Sequence, residues 1–157
     1  MMRIGLISDT HGRLRPEVFD IFEGVDVILH AGDVGSTNIL VELEAIAPVH
    51  AVMGNTDPSE LQSRASDVVE LELGGHRVVL LHGDAFGSPT PELLRASYPD
   101  ADVIVYGHTH RQRVDIIDSC LVVNPGAAGP ARFNLRPAVA ILTLEEGQSP
   151  AVEHIEL

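Results

Sequence analysis

Short apolar runs dominate the sequence, and in its first half they alternate with helix-like segments. Residues 4–7, 25–29 and 49–53 have the length and aliphatic content of buried strands. Between them, the apolar spacings after Pro16 and after Thr37 are typical of amphipathic helices, with Thr37 a candidate N-cap. This βαβαβ order predicts a parallel sheet that is covered by helices.

The second half of the chain has a different pattern, which favours antiparallel pairing. Gly74 and Gly75 link apolar runs at residues 68–73 and 77–81, and a two-glycine link of this kind is a strong hairpin signal. Because no linker or repeat separates the halves, we expect one domain over residues 1–157, of class α/β, with two stacked sheets and outer helices. The remaining elements predicted are a helix over 91–97 and strands over 103–106, 114–117, 121–123 and 138–144.

The charge of the chain excludes several classes of protein. Its 157 residues carry 23 Asp and Glu against 10 Lys and Arg, a formal net charge of -13. Surfaces that coat nucleic acid or anionic lipid select clustered cationic side chains, so neither stable nucleic-acid binding nor membrane binding is expected. With 45% hydrophobic residues, the chain is also too apolar for charge-driven disorder.

Cysteine usage and the N-terminal segment predict a cytoplasmic protein. Cys120 is the single cysteine, so no internal disulfide can form and an oxidising compartment is not indicated. The first apolar run ends at Asp9 without a signal-peptide cleavage site, and no apolar stretch approaches the ~20 residues of a membrane span.

Polar residues that follow the apolar runs are the main functional signal. Five predicted strands are each followed by Asp, Asn or His, and open α/β sheets build their sites at the carboxyl ends of strands. Asp and Asn after a strand often serve only in turns, whereas imidazole has no special role in turns and is the commonest metal ligand. The seven residues are Asp9, His11, Asp33, Asn55, His82, His108 and His110.

Seven candidate ligands exceed the needs of one tetrahedral ion and suit two ions that share a carboxylate. Imidazole, carboxylate and amide together suit Mn, Fe, Ni or Zn, and a single cysteine excludes a thiolate zinc site. Two-metal sites generate hydroxide and stabilise in-line displacement at phosphorus. The residues alone therefore predict a binuclear metallohydrolase that acts on phosphate esters.

The same motifs, in the same order, resemble the signature of the calcineurin-like metallophosphoesterases. Within that superfamily the chain is similar to the small bacterial and archaeal metallophosphodiesterases, and this resemblance implies a four-layer α/β/β/α sandwich of two mixed sheets flanked by helices. The motifs are Asp9-Thr-His11, Gly32-Asp33, Gly54-Asn55, His82-Gly83 and Gly107-His108-Thr-His110, followed by the turn Asn124-Pro125-Gly126.

The resemblance also implies a role for each of these residues. One ion is expected on Asp9, His11 and His110, and the other on Asn55, His82 and His108, with Asp33 as the bridge. A metal-bound hydroxide is expected to attack a small phosphodiester, with manganese as the favoured metal. Three of the ligands are also expected to take part in catalysis, with Asn55 donating to a phosphate oxygen: Asp33, Asn55 and His108.

Thr56 departs from the superfamily pattern, in which a histidine at this place protonates the leaving group. A threonine hydroxyl is too weak an acid to replace imidazole near pH 7, although small members of the subfamily often lack that histidine. Asp57 and Asp84 are nearby carboxyl groups and alternative proton donors, although we expect both to hydrogen bond to the ligands instead. Esters with poor leaving groups are therefore not the expected substrates.

Three alternatives stay open at this point. The same fold can serve a phosphomonoesterase or a nuclease, and a retromer subunit of this architecture is a non-catalytic protein-interaction scaffold. Such scaffolds lose site histidines, whereas all four are present here, and the acidic exterior disfavours long nucleic acids. A homo-oligomeric state is a further open possibility.

Other polar residues are expected to be packed or solvated: His30, His50, His76, His154, Arg13 and Arg132.

Overall fold

The computed structural model describes residues 1–132 and 134–157. In these residues ten β-strands and three α-helices are formed, together with two 3-10 turns at Ser59–Ser63 and Asp84–Phe86. In chain order the elements are β1 Met2–Ile7, α1 Glu17–Ile21, β2 Val27–His30, α2 Thr37–Glu44, β3 Val49–Ala51, β4 Val68–Leu73, β5 His76–Leu81, α3 Pro91–Ser97, β6 Val103–Val105, β7 Arg113–Ile117, β8 Cys120–Asn124, β9 Ala138–Leu144 and β10 Ala151–Glu156.

The strands form two mixed five-stranded sheets. The first sheet has the order β10-β9-β1-β2-β3, in which β1, β2 and β3 are parallel as predicted and β9 and β10 are antiparallel additions. The second sheet has the order β4-β5-β6-β8-β7, with the predicted hairpin between β4 and β5. In this sheet β8 pairs with β6 in parallel, so the expectation of purely antiparallel strands after β6 is wrong.

Three apolar layers separate four layers of secondary structure, which confirms the α/β/β/α sandwich. The central layer, between the sheets, contains Ile4 and Leu6 of β1. The opposite face of β1 turns towards α1, where a Cβ on Gly5 would lie 3.0 Å from the ring of Phe22. Glycine at this position therefore allows α1 to pack closely on the sheet. A third layer, around Leu94, lies between the second sheet and α3.

Two details of the elements differ from the expectation. Thr37 is not the N-cap of α2; Ser36 precedes the helix, without a side-chain capping hydrogen bond. The strand β10 was not predicted, because its alternation of exposed and half-buried residues is that of a polar edge strand and lacks a continuous apolar run. No helix among the described residues is long and apolar enough to cross a membrane.

A central strand and an edge strand bury identical side chains to very different extents, and this allows a matched test of the core. Ile4 in β1 is fully buried, whereas Ile116 in the edge strand β7 is 74% exposed. We expect Ile4→Ala to lower the free energy of unfolding by about 2–5 kcal/mol, because it removes apolar contacts and leaves a cavity. Ile116→Ala is expected to change it by less than about 0.5 kcal/mol.

Urea unfolding followed by circular dichroism measures both values. Equal destabilisation by the two substitutions would contradict the burial of β1 between the sheets.

Candidate metal centre

The carboxyl ends of β1 and β6 bring the first group of candidate ligands together. In Asp9, His11 and His110 the potential ligand atoms all lie within 4.8 Å of one another. His110 Nε2 is 3.3 Å from Asp9 Oδ1, and His11 Nε2 is 3.9 Å from the same oxygen. Residues about 100 positions apart in the sequence thus meet where the two sheets adjoin.

A second group, formed by Asp9, Asp33 and His82, lies directly beside the first. The carboxylate oxygen Asp33 Oδ2 is 3.2 Å from His82 Nε2 and 3.8 Å from His11 Nε2. A single oxygen therefore faces histidines on both sides. Asp33 thus lies between the two groups of candidate ligands.

Asn55 and His108 complete the cluster on the His82 side. Asn55 Oδ1 is 3.1 Å from His82 Nε2. The rings of His82 and His108 lie with centroids 5.1 Å apart in an edge-on arrangement. The structure thus brings all seven residues singled out from the sequence into one place.

Hydrogen bonding selects the ring nitrogen that His82 presents to the cluster. Its Nδ1–H donates to the carbonyl of Ala31 at 2.7 Å, so Nε2 is the atom that faces Asp33 and Asn55. Backbone contacts of this kind orient the imidazole ligands of metal sites. If Nε2 loses its proton when a metal ion binds, the neutral ring would offer the lone pair of this nitrogen to that ion.

The charges of the metal-free cluster are strongly coupled. Burial by itself lowers the pKa of His82, but the hydrogen bond to Asp33 and the charges of Asp9 and Asp33 outweigh it and raise this pKa to about 9. Burial by itself raises the pKa of Asp33, but hydrogen bonds from His82 and Thr56 hold it well below its usual range. His82 thus serves as a cation opposite Asp33 when no metal is bound.

Backbone conformation at the site is unusual for non-glycine residues. Left-handed φ angles occur at five of the seven cluster residues: Asp9 (54°), His11 (49°), Asp33 (53°), His108 (73°) and His110 (65°). Such angles cost on the order of 1 kcal/mol each and concentrate at functional sites. The sequence gives no signal for them, since none of these positions is a glycine.

The glycines of the motifs are required by close packing between loops. A Cβ on Gly54 would overlap the carboxylate and backbone of Asp33, and a Cβ on Gly107 would overlap Ser8 Oγ. These glycines therefore allow the ligand-bearing loops to approach each other, beyond any conformational freedom in a turn.

A buried hydrogen-bond chain that sequence reasoning missed joins the loops after β1 and β2. His30 Nδ1 accepts from the Gly32 N–H at 3.1 Å, and its Nε2 lies 3.0 Å from Thr10 Oγ1, which donates to the Val34 carbonyl at 2.7 Å. Burial lowers the pKa of His30 to about 4, so the ring is neutral. His30 thus fixes the spacing of the loops that carry Asp9 and Asp33.

Two further residues support the site through backbone groups. Asn124 donates to the Gly107 carbonyl at 3.2 Å and to Thr109 Oγ1 at 3.0 Å, so the Asn-Pro-Gly turn holds the loop of His108 and His110. The carboxylate of Asp57 accepts from the backbone N–H groups of Gly35 and Gly54, each at 2.9 Å. It does not bond to the ligand side chains, which corrects the expectation for this residue; Asp84 lies exposed at the start of a 3-10 turn.

The six residues expected to be packed or solvated lie outside the candidate ligand groups. In the described part of the chain, no group that could hold a metal includes any of these six. Arg13 and Arg132 are exposed, and the charge of Arg132 contributes to the lowered pKa of His11, whose main cause is burial. His30 is buried, whereas His50, His76 and His154 are half-buried.

Three buried side-chain nitrogen or oxygen atoms in the described part of the chain have no hydrogen-bond partner, and all three belong to the cluster. They are Asp9 Oδ1, His11 Nε2 and His110 Nδ1. The other oxygen of Asp9 accepts from Ser8 Oγ at 2.6 Å and from the His108 N–H at 3.2 Å. A buried polar atom without a partner is costly. A cation would satisfy the carboxylate oxygen and at least one facing imidazole, so the donor set fits a metal ion.

A sandwich whose strand ends gather buried carboxylate, amide and imidazole groups defines a metal-binding site of the kind that metallohydrolases use. A family model described as the calcineurin-like phosphoesterase superfamily domain matches residues 2–147. A probable metallophosphoesterase of Methanothermobacter thermautotrophicus is 37% identical over 152 residues, covering 92% of this chain and 87% of the relative. The chain belongs to the calcineurin-like phosphoesterase superfamily, which confirms the resemblance found in its motifs.

Other relatives and structures agree with this family. A phosphodiesterase of Methanocaldococcus jannaschii is 30% identical over 162 residues, covering 92% of this chain and 95% of the relative. The structure of an archaeal phosphodiesterase superposes with a TM-score of 0.81 at 28% identity, over 99% of this chain and 100% of that one. Vps29 of Entamoeba histolytica, solved with Zn²⁺, has a TM-score of 0.79 at 22% identity over 99% of each chain, which shows the shared fold.

The coupled charges predict how the stability of the metal-free protein depends on pH. The pKa of His82 is raised from 6.5 to about 9, so its stabilising contribution is fully present below pH 6.5 and is lost as the pH rises through about 9. Between pH 6.5 and 9.5 we expect the free energy of unfolding to fall by about 1–3 kcal/mol. Asp33 contributes in the opposite sense, because its pKa is held below the usual value of 3.8. Its stabilising contribution is fully present above pH 3.8 and is lost as the pH falls further.

Urea unfolding in the presence of a chelator at both pH values measures this fall. In His82→Gln the fall is expected to be largely absent, whereas Leu94→Ala, a destabilising change in the layer beneath α3, should keep it. The same pH dependence in wild type and His82→Gln would show that the Asp33–His82 pair is not its origin.

Proposed function

We propose that this protein is a binuclear, divalent-metal-dependent phosphodiesterase of small substrates. Its first ion is held by Asp9, His11 and His110 and its second by Asn55, His82 and His108. Asp33 lies between them as the shared ligand. Manganese is the favoured metal, with iron, nickel and zinc as alternatives for this ligand set. The cytoplasm is the proposed location, and residues 1–157 are proposed to act as one domain.

The position of Asp33 Oδ2 is the observation that carries this proposal. This oxygen lies 3.8 Å from a histidine of the first group and 3.2 Å from one of the second, which supports a carboxylate shared by both ions. Its other oxygen accepts from the Thr56 N–H at 3.0 Å, which fixes the orientation of the group. The unpartnered atoms of Asp9, His11 and His110 support the first ion.

Bound ions would supply a hydroxide nucleophile near neutral pH and positive charge opposite the phosphate oxygens. The protein's own residues prepare the site for that chemistry. His30, Asn124 and the Asp57 carboxylate fix the loops, so that little rearrangement is needed when substrate binds. The amide of the exposed Asn55 is proposed to donate to a phosphate oxygen.

Thr56 lies exposed next to Asn55, and its backbone N–H holds Asp33. Its hydroxyl is a poor acid, so the leaving group must depart without strong protonation from this position. The proposed substrates are therefore phosphodiesters whose leaving alcohol has a low pKa and can depart as the anion.

A protein-interaction scaffold is the second candidate function. The likeness in fold to Vps29 of Entamoeba histolytica makes such a role compatible with the architecture. The complete set of carboxylate, amide and imidazole groups favours catalysis, since a scaffold does not need buried ligands in costly left-handed conformations.

Asp33→Asn tests the shared carboxylate directly. Asparagine tolerates the left-handed backbone of this position, so the substitution removes charge with little added strain. With Mn²⁺ we expect kcat/KM for bis(p-nitrophenyl) phosphate to fall by at least about 100-fold, together with a loss of bound metal measured by mass spectrometry.

Asp118→Asn is the matched control, because Asp118 also has a left-handed φ of 50° but lies exposed in the turn between β7 and β8. It should retain full activity. A wild-type protein that stays inactive with every metal tried, or an Asp33→Asn variant of full activity, would refute the phosphodiesterase proposal.

Thr56→His tests the missing proton donor. The wild-type rate is expected to decrease steeply as the pKa of the leaving alcohol rises, since nothing at Thr56 protonates it. Thr56→His should raise the rate for alkyl esters relative to aryl esters by about tenfold or more. Kinetics over a series of diesters measure this ratio, and Thr56→Asn, which keeps the backbone N–H but adds no acid, should leave it unchanged. The same steep dependence in Thr56→His and in wild type would contradict this role for position 56.

A further inference from the structure

A cleft of about 350 Å³ lies beside the candidate metal centre on its His82 side. Gly54, which precedes Asn55, and His82 itself belong to its lining, so the cleft adjoins the second proposed ion. Its volume falls in the range of cavities that bind small molecules. Such a cleft offers room for a substrate group beyond the phosphate.

The wall of this cleft, called the side cleft below, is largely apolar. Five of its residues provide this surface, and two of them are aromatic: Met53, Val68, Leu81, Phe86 and Tyr98. Phe86 and Tyr98 are half-buried against the layer beneath α3, which limits their freedom to move. A rigid apolar wall favours an organic group over a hydrated ion.

Two carboxylates, Asp67 and Asp84, give the side cleft its charge. Both are exposed and both line it, whereas the described lining residues include no arginine. A phosphate or carboxylate group placed here, away from His82 and the proposed ion, would meet like charges without an arginine or lysine partner. A cation with an apolar body would instead meet two carboxylates and two aromatic rings, whose faces attract cations.

We propose that the side cleft binds one alcohol group of the substrate and that this group is apolar and positively charged, such as a quaternary ammonium alcohol. This inference rests on the phosphodiesterase function proposed above and narrows its substrate class. The phosphodiester is held at the metal centre while the cationic alcohol lies against Phe86 and Tyr98, with Asp67 and Asp84 at its charge.

Two diesters that differ only in charge test this proposal. p-Nitrophenyl phosphorylcholine carries a trimethylammonium group, and p-nitrophenyl 3,3-dimethylbutyl phosphate replaces its nitrogen with carbon at almost the same shape. With the full chain and Mn²⁺, we expect kcat/KM for the cationic diester to exceed that for the neutral one by about fivefold. The preference should shrink as the salt concentration rises.

Asp67→Asn and Asp84→Asn are each expected to reduce this preference by about twofold while keeping the rate for the neutral diester. Asp20→Asn makes the same change in net charge at an exposed position of α1, which packs on the first sheet, and should retain the preference. Because the leaving group is the same throughout, an effect of Asp84 on leaving-group departure would alter both rates and leave their ratio unchanged.

The outcomes separate this inference from the function on which it rests. Hydrolysis of both diesters at equal rates, or a preference that survives both substitutions, overturns the cationic side cleft and leaves the phosphodiesterase proposal standing. Hydrolysis of neither diester overturns both.

Discussion

The carboxylate of Asp33 links the fold of this protein to its site. It is buried at the meeting of two sheets, where an isolated charge would be strongly unfavourable. The Thr56 N–H holds one of its oxygens, and histidines on both sides face the other. Because the negative charge needs a cation there, protonated His82 or a metal ion must compensate it. A bound metal ion would thus replace the proton of His82 as the positive charge that compensates Asp33.

Holding these groups together has a cost that the rest of the structure offsets. Five cluster residues adopt left-handed backbone angles, and three buried polar atoms have no protein partner. Both features are unfavourable in isolation. Three apolar layers and the hydrogen bonds of His30 and Asn124 keep the loops in place despite this cost. Stability is therefore concentrated in the sandwich, and strain at the ends of its strands.

The net charge of -13 has a local meaning at the site. Asp9 and Asp33 contribute to it, yet bound divalent ions would reverse the sign where a phosphate has to approach. Next to that point, the carboxylates of the side cleft would restore a negative surface. A small diester with a neutral or cationic alcohol suits such a field, whereas a polyanion does not.

The sequence by itself determined the elements and the chemical inventory. Apolar runs identified β1, β2, β3, β5 and β6, and the polar residues after these five strands identified all seven members of the cluster, since strand ends must meet at sheet edges. It did not reveal β10, whose alternating edge pattern is weak, or the parallel pairing of β8. Only the tertiary structure decided the shared position of Asp33, the buried chain through His30 and the side cleft. These features depend on contacts between segments distant in sequence and on backbone angles that residue identity does not encode.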